Sequence, residues 1–359
     1  MKMNEFQTGK RLSDNRDFVM GIAILWIMFY HLPDHNSLPV LGFLQDTGYG
    51  GVDLFILLSG FGCWFSLNRD GDILRFFGKR LKRLLPAYLP FILIWMLIRF
   101  VTYQLYMTEI FGNLTMTGWW NGAGNQFNWY VDAIVFFYLL APYICLLLKR
   151  SKKPLLCAFL LIIFSFAVSI AFMHGLLLIA MSRLSLFVLG AFLGRLTEEL
   201  NSPSGQLPDS ENGKSLRRFL SGPLFPAVLN LAALSGFALL YYFLRLQDRF
   251  DKWHYGLWWY PFFLIAPGLS ADLAYLSEKA LQSRFFSLFA RLFAALGRSS
   301  FEIFLIHLFL FETAAAYRNS LPFDGPLFFA ALFLLALAAG YFYHRLVSFA
   351  VSRFFPAVK

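Results

Sequence analysis

The feature that most constrains this chain is a succession of apolar runs, each roughly 17 to 25 residues long, the length a helix needs to cross bilayer hydrocarbon. They fall at Asp17 to Leu32, Gly51 to Leu67, Leu84 to Tyr103, Asn128 to Leu148, Leu155 to Met173, Leu176 to Leu196, Leu224 to Leu244, Tyr255 to Leu276, Ser299 to Tyr317 and Pro326 to Val347. None alternates with period two, so the runs read as helices rather than barrel strands. With 58% of residues apolar and 14% charged, a soluble multidomain fold is excluded. The expectation is an all-α polytopic membrane protein of about ten transmembrane helices, forming a single transmembrane domain over residues 1–359.

Lysine and arginine set the orientation, because positive loop residues beside a span resist translocation. One set of loops holds Lys2, Lys10, Arg11 and Arg16, then Arg69 to Arg83 with Arg75, Lys79, Arg80 and Lys82, then Lys149, Arg150, Lys152 and Lys153. The same side continues with Arg195, Lys214, Arg217, Arg218, Lys279, Arg284, Arg291, Arg298, Arg345, Arg353 and Lys359. The other side carries Arg245, Arg249, Lys252 and Arg318. Both termini are therefore expected in the cytoplasm. The same asymmetry accounts for the +10 net charge without nucleic acid, which would need a basic, aromatic surface facing water. The first apolar run is long enough to stay as a span and serve as its own insertion signal. Asn201 to Ser215, rich in Pro, Gly and Ser, reads as a flexible cytoplasmic loop near 197–222. Cys63, Cys145 and Cys157 lie in or beside spans, without metal spacing, and read as small packed hydrophobes; no metal is expected.

Function is read from polar groups inside the spans, since each is costly in hydrocarbon and must face a cavity or a partner. Arg183 lies well within the sixth run, in MSRLSLFVLGAFLGRL, too central to reach an interface. Its two readings are pairing with a neighbouring acid or carbonyl, and a ligand pathway. His31 comes near the outer end of the first run, where a neutral imidazole can take a proton from an external hydroxyl. Asp53, Asp132 and Glu109 are expected on the same side. His307 sits deeper in the ninth run and is a candidate to line a cavity. Gly50, Gly51 and Gly60 suit close helix packing. The clusters Trp119, Trp120, Trp129, Trp258 and Trp259 read mainly as interfacial belts. The loop Tyr106 to Gln126, with GWWNGAGNQ, also offers aromatic faces on which a sugar can stack.

GIAILWIMFYH in the first run, GYGGVDLFILLSGFG in the second and FFGKRLKRLLPAY after it resemble the acyltransferase 3 family of membrane-bound acyltransferases. The second motif is the most specific. WYVDAIVFFYLLAPY, RLSLFVLGAFLGRL and GRSSFEIFLIHLFL are similar to later helices of the family in the same order. The chain departs from many relatives in two places. Met20 stands where they carry an arginine, with Arg16 one turn earlier on the same face. Ile134 and Val135 stand where they carry paired glutamates, near Asp132.

The resemblance implies transfer of an acyl group, usually acetyl, from cytoplasmic acyl-CoA to a hydroxyl of a glycan or lipid-linked saccharide across the membrane. It implies phosphate contacts from Arg80 and Arg83, with Arg183 further along the donor's path. In the same reading His31 is general base, oriented by Asp53, and Asp132, Trp119 and Trp120 bind the acceptor. An integral protein of a bacterial inner membrane, surrounded by lipid, is the expected setting. A transporter or flippase is the competing class, since several spans with central Arg183 and His31 suit it too; a membrane scaffold is a third.

Overall fold

The computed structural model describes residues 7–34, 38–102, 106–121, 129–172, 176–201, 211–245, 256–317 and 325–354. Among these residues every regular element is a helix. Seven helices are long and apolar enough to cross a membrane: Gly50–Asp70 (α4), Ile73–Thr102 (α5), Trp129–Arg150 (α8), Pro154–Phe172 (α9), Leu184–Asn201 (α11) with the short Leu176–Met181 (α10) before it, Leu224–Arg245 (α13) and Pro326–Phe354 (α17). An eighth is added if Phe286–Arg298 (α15) and Ser300–Ala316 (α16), bent by 74° at their junction, form one broken span. This is an integral membrane protein of several helical spans.

Two of the expected spans are helices that fall short of the criterion for a physical reason. The first, Arg16–Tyr30 (α2), has 15 residues, and at 1.5 Å per residue it covers about 22 Å of a hydrocarbon core about 30 Å thick. It follows Gln7–Asp14 (α1) after a break at Asn15, whose side-chain amide donates to Arg11 O at 3.0 Å. The eighth begins with turns at 257–261 and becomes a helix over Phe262–Gln282 (α14), which carries Pro267 internally and Asp272, Glu278 and Lys279 toward its end. The expected flexible loop near 197–222 is also narrower. Helix α11 runs on to Asn201, and Glu211–Ser221 (α12) is an amphipathic helix whose Leu220 is buried. Residues 202–210 of that loop, and 122–128 of the tryptophan-bearing loop, lie outside the described residues.

The chain divides into two compact units, whose boundaries fall within α2, α4, α5 and α15 and at the start of α8. The first comprises Met1–Arg16, Asp53–Phe77 and Trp129–Ser287. Within it α11 is central, packing on α8, α9 and α1, while α13 pairs with α14. The apolar window that includes α11 is 83% buried, against 17% for α9 and for α13, so α9 and α13 present most of their surface to lipid. Helices α4 and α11 cross at van der Waals contact. A Cβ added at Gly60 would run into Phe187 O, and one at Gly190 into Leu57 O, so glycine is what allows the backbones to meet. Arg195 closes the last turn of α8 by donating to Leu148 O while pairing with Glu199 at 2.6 Å.

The second unit comprises Asp17–Val52, Gly78–Asn128 and Leu288–Lys359. It contains the short helices Pro39–Asp46 (α3), Met107–Thr115 (α6) and Gly118–Asn121 (α7). Helix α16 packs along α17, with Gly340 against Ile303. Pro86 and Pro90 interrupt the ladder of α5, and the Tyr343 hydroxyl donates to Ala87 O at 2.6 Å within the same stretch. Arg298, the last residue of α15, meets Asp17 at 3.4 Å at the start of α2.

Candidate active site

In the second unit, α2 stops at Tyr30 and Pro33 follows two residues after His31, which leaves the His31 backbone in a final turn with its N–H donating to Ile27 O at 3.2 Å. The imidazole folds back along the helix. Its Nδ1 lies 3.0 Å from Ile27 O and 3.3 Å from Nε2 of His307. His307 is in the middle of α16, fully buried, with its own Nδ1 3.0 Å from Ile303 O. Phe304 and Phe311 contact the His307 ring edge-on, at centroid distances of 5.8 and 5.5 Å.

These contacts fix the protons. A carbonyl oxygen only accepts, so Nδ1 of each histidine carries hydrogen in the neutral ring. Nε2 of His307 is then a lone pair that accepts a second, longer bond from the His31 N–H. Nε2 of His31 is left as a bare lone pair, and among the described residues it has no hydrogen-bond partner. His31 is half-buried as a residue, with its ring 5.0 Å from that of Tyr30, while His307 is fully buried. An imidazole held at one nitrogen and bare at the other is arranged to take a proton.

The first unit builds a second polar cluster. Asp53 sits in the first turn of α4 and Arg183 in the break between α10 and α11. The two are fully buried and form an ion pair, in which Nη2 donates to Oδ2 at 3.2 Å while Nε lies 3.1 Å from Oδ1 outside hydrogen-bond geometry. The remaining Nη1 donates to Ile179 O at 2.6 Å. Trp129 and Trp259 stack on the guanidinium, at 5.1 and 5.7 Å from ring centroid to Cζ. Asp53, expected to orient His31, pairs with Arg183 in the first unit, and His31 pairs with His307 in the second.

The other expected site residues are placed as follows. Arg80 and Arg83 lie on one side of α5 in the second unit, half-buried and exposed respectively. Asp132 is buried in the first turn of α8. On α7, Trp119 is buried and Trp120 is half-buried. In the first unit the Arg16 guanidinium rests over Gly62 of α4. Sequence reasoning assigned Trp129 and Trp259 to interfacial belts. Their place around Arg183 was signalled only by the need of a buried cation for π faces. Among the described residues, no three His, Cys, Asp or Glu side chains gather as a metal site.

A family profile described as an acyltransferase domain matches residues 17–345, from α2 to the last turns of α17. The chain belongs to the acyltransferase 3 family. The chain is also similar to a protein of Acidianus two-tailed virus named as a candidate acetyltransferase, with 40% identity over 68 residues. That match spans 19% of this chain and 20% of the viral protein, so the chain covers about a fifth of that relative's length. No solved structure matches the chain.

Proposed function

We propose that this acyltransferase moves an acetyl group from cytoplasmic acetyl-CoA to a hydroxyl of an exported or cell-surface glycan, with His31 as general base. The observation that carries the reading is the pair of imidazoles, which holds Nδ1 of the half-buried His31 and leaves its Nε2 without a partner among the described residues. The acceptor hydroxyl gives its proton to Nε2 as its oxygen attacks the thioester carbonyl. The C–S bond then breaks, and the proton returns from the imidazolium to the departing thiolate. His307 accepts from Nδ1–H throughout and steadies the imidazolium.

Arg80 and Arg83 hold the donor's phosphates at the mouth on the basic side, in an orientation with both termini cytoplasmic and about ten helices in the membrane. Trp120 stacks on the acceptor sugar, and Asp132 accepts hydrogen bonds from its hydroxyls. Arg183, with its donors turned to Asp53 and Ile179 O and its faces covered by indoles, serves to fix α4 to the break before α11. The setting is a bacterial inner membrane.

The test is mass spectrometry of surface glycans from cells with and without the gene, together with release of free coenzyme A by the purified protein. Loss of an acetyl mass in the deletion strain, restored by wild type and not by His31→Ala, is expected. Restoration by His31→Ala, or export of unmodified glycan as the protein's only effect, overturns the reading.

A further inference from the structure

A cavity of about 380 Å³ in the first unit is lined almost wholly by carbon, in the size range of small-ligand sites, roughly 300–1,000 Å³. Its lining includes Leu155 in the first turn of α9, Leu196 near the end of α11, Phe219 and Leu220 at the end of α12 and Phe225 at the start of α13, which belong to one end of the unit. From there it follows α11 inward to Leu189, seven residues deeper, or about 10 Å at 1.5 Å per residue. A cavity with so little polar lining offers nothing to a sugar or nucleotide, and suits a hydrocarbon chain. The rim is different. Lys152 and Lys153 precede Leu155, Arg218 precedes Phe219, and all three side chains are exposed. Carbon below and three cations at the mouth match the two halves of an anionic lipid.

We propose that this unit carries a binding site for an anionic phospholipid of the leaflet on its basic side, with one acyl chain in the cavity and the phosphate on Lys152, Lys153 and Arg218. The chain occupies volume that would otherwise leave the α9, α11 and α13 side chains without packing partners. The head group neutralises a rim where like charges gather. Helix α12 closes one wall of the slot, so the lipid also fixes that helix against α13.

The full-length protein, reconstituted in nanodiscs of phosphatidylcholine or phosphatidylglycerol with identical chains, is released for native mass spectrometry and the retained lipid is counted. Wild type is expected to keep phosphatidylglycerol and to lose phosphatidylcholine. Removing three charges by Lys152→Gln, Lys153→Gln and Arg218→Gln should weaken phosphatidylglycerol retention about a hundredfold. Ala232→Phe, which leaves the rim intact and places a ring inside the slot, should reduce it at least about tenfold, the order expected for excluding several methylenes. Equal retention of the two lipids by wild type, or unchanged retention in either variant, overturns the proposal. Neither readout involves acyl transfer, so the outcome is independent of the activity assigned to His31.

Discussion

Replacing His307 by phenylalanine removes the partner of His31 while keeping an aromatic ring between Phe304 and Phe311. The lost contact is the one from His31 Nδ1–H to His307 Nε2, 3.3 Å long and shared with Ile27 O at 3.0 Å. When His31 takes a proton this becomes a hydrogen bond to a charged group, worth about 1.5–3 kcal/mol. Its length and its sharing put it at the lower end, about 1.5 kcal/mol, and at 1.36 kcal/mol per decade this is about a tenfold loss of kcat. Because the bond strengthens only as charge develops, KM for the acyl donor should be unchanged. The assay is steady-state release of free coenzyme A by protein in nanodiscs, with monodispersity checked by size exclusion. His307→Gln, which offers a carbonyl oxygen in place of Nε2, should recover part of kcat. A folded His307→Phe protein with kcat within about twofold of wild type refutes the argument, as does a change confined to KM, because either outcome means that the energy of this bond does not rise at the transition state.

Asp53→Asn leaves the Arg183 cation buried without its counter-charge and should cost about 3–5 kcal/mol of stability, while the paired change Asp53→Leu with Arg183→Met should restore most of it; a thermal-shift series on the single and double variants measures this, and additive losses contradict it. Arg80→Gln with Arg83→Gln should raise KM for acetyl-CoA at least about tenfold with membrane insertion intact, since each charged hydrogen bond is worth about 1.5–3 kcal/mol; unchanged kinetics remove the two arginines from the donor's path. Gly60→Ala forces α4 away from the Phe187 carbonyl and should destabilise the first unit by about 1–3 kcal/mol, as overpacking does; a melting curve overlying wild type would show that α4 and α11 shift apart freely.

The apolar runs announced the long helices, because hydrocarbon tolerates little else and each run carries the necessary length in consecutive residues. Their ends were less legible. The break at Met181–Leu184 and the bend at Arg298–Ser300 lie inside continuous apolar sequence, where hydropathy has no contrast to register them. His31 was visible as a polar group at the end of a run, and the turn past Tyr30 brings its Nδ1 to Ile27 O. Its partner was not identified, because His31 and His307 are 276 residues apart and nothing local to either encodes the contact. The same holds for Asp53 and Arg183, separated by 130 residues. The sequence showed that each charge required a partner, but the partner comes from packing. Helix α12 was read as loop from its Pro, Gly and Ser neighbours, although Leu216, Phe219 and Leu220 recur in the sequence at i, i+3 and i+4, the spacing of one helix face.

The 74° turn between α15 and α16 gives the chain a depth gauge. Phe285, Phe286, Leu288 and Leu292 are exposed around α15, beside Arg284, Arg291 and Arg298, the make-up of a segment that floats where head groups meet tails. Its float line then sets the waterline for α16, and His307, seven residues above Ser300, stands about 10 Å beyond it at 1.5 Å per residue. On the function proposed above, a thioester entering from that shore needs a tether at least this long, so a donor clipped to a shorter arm is expected to bind and not react.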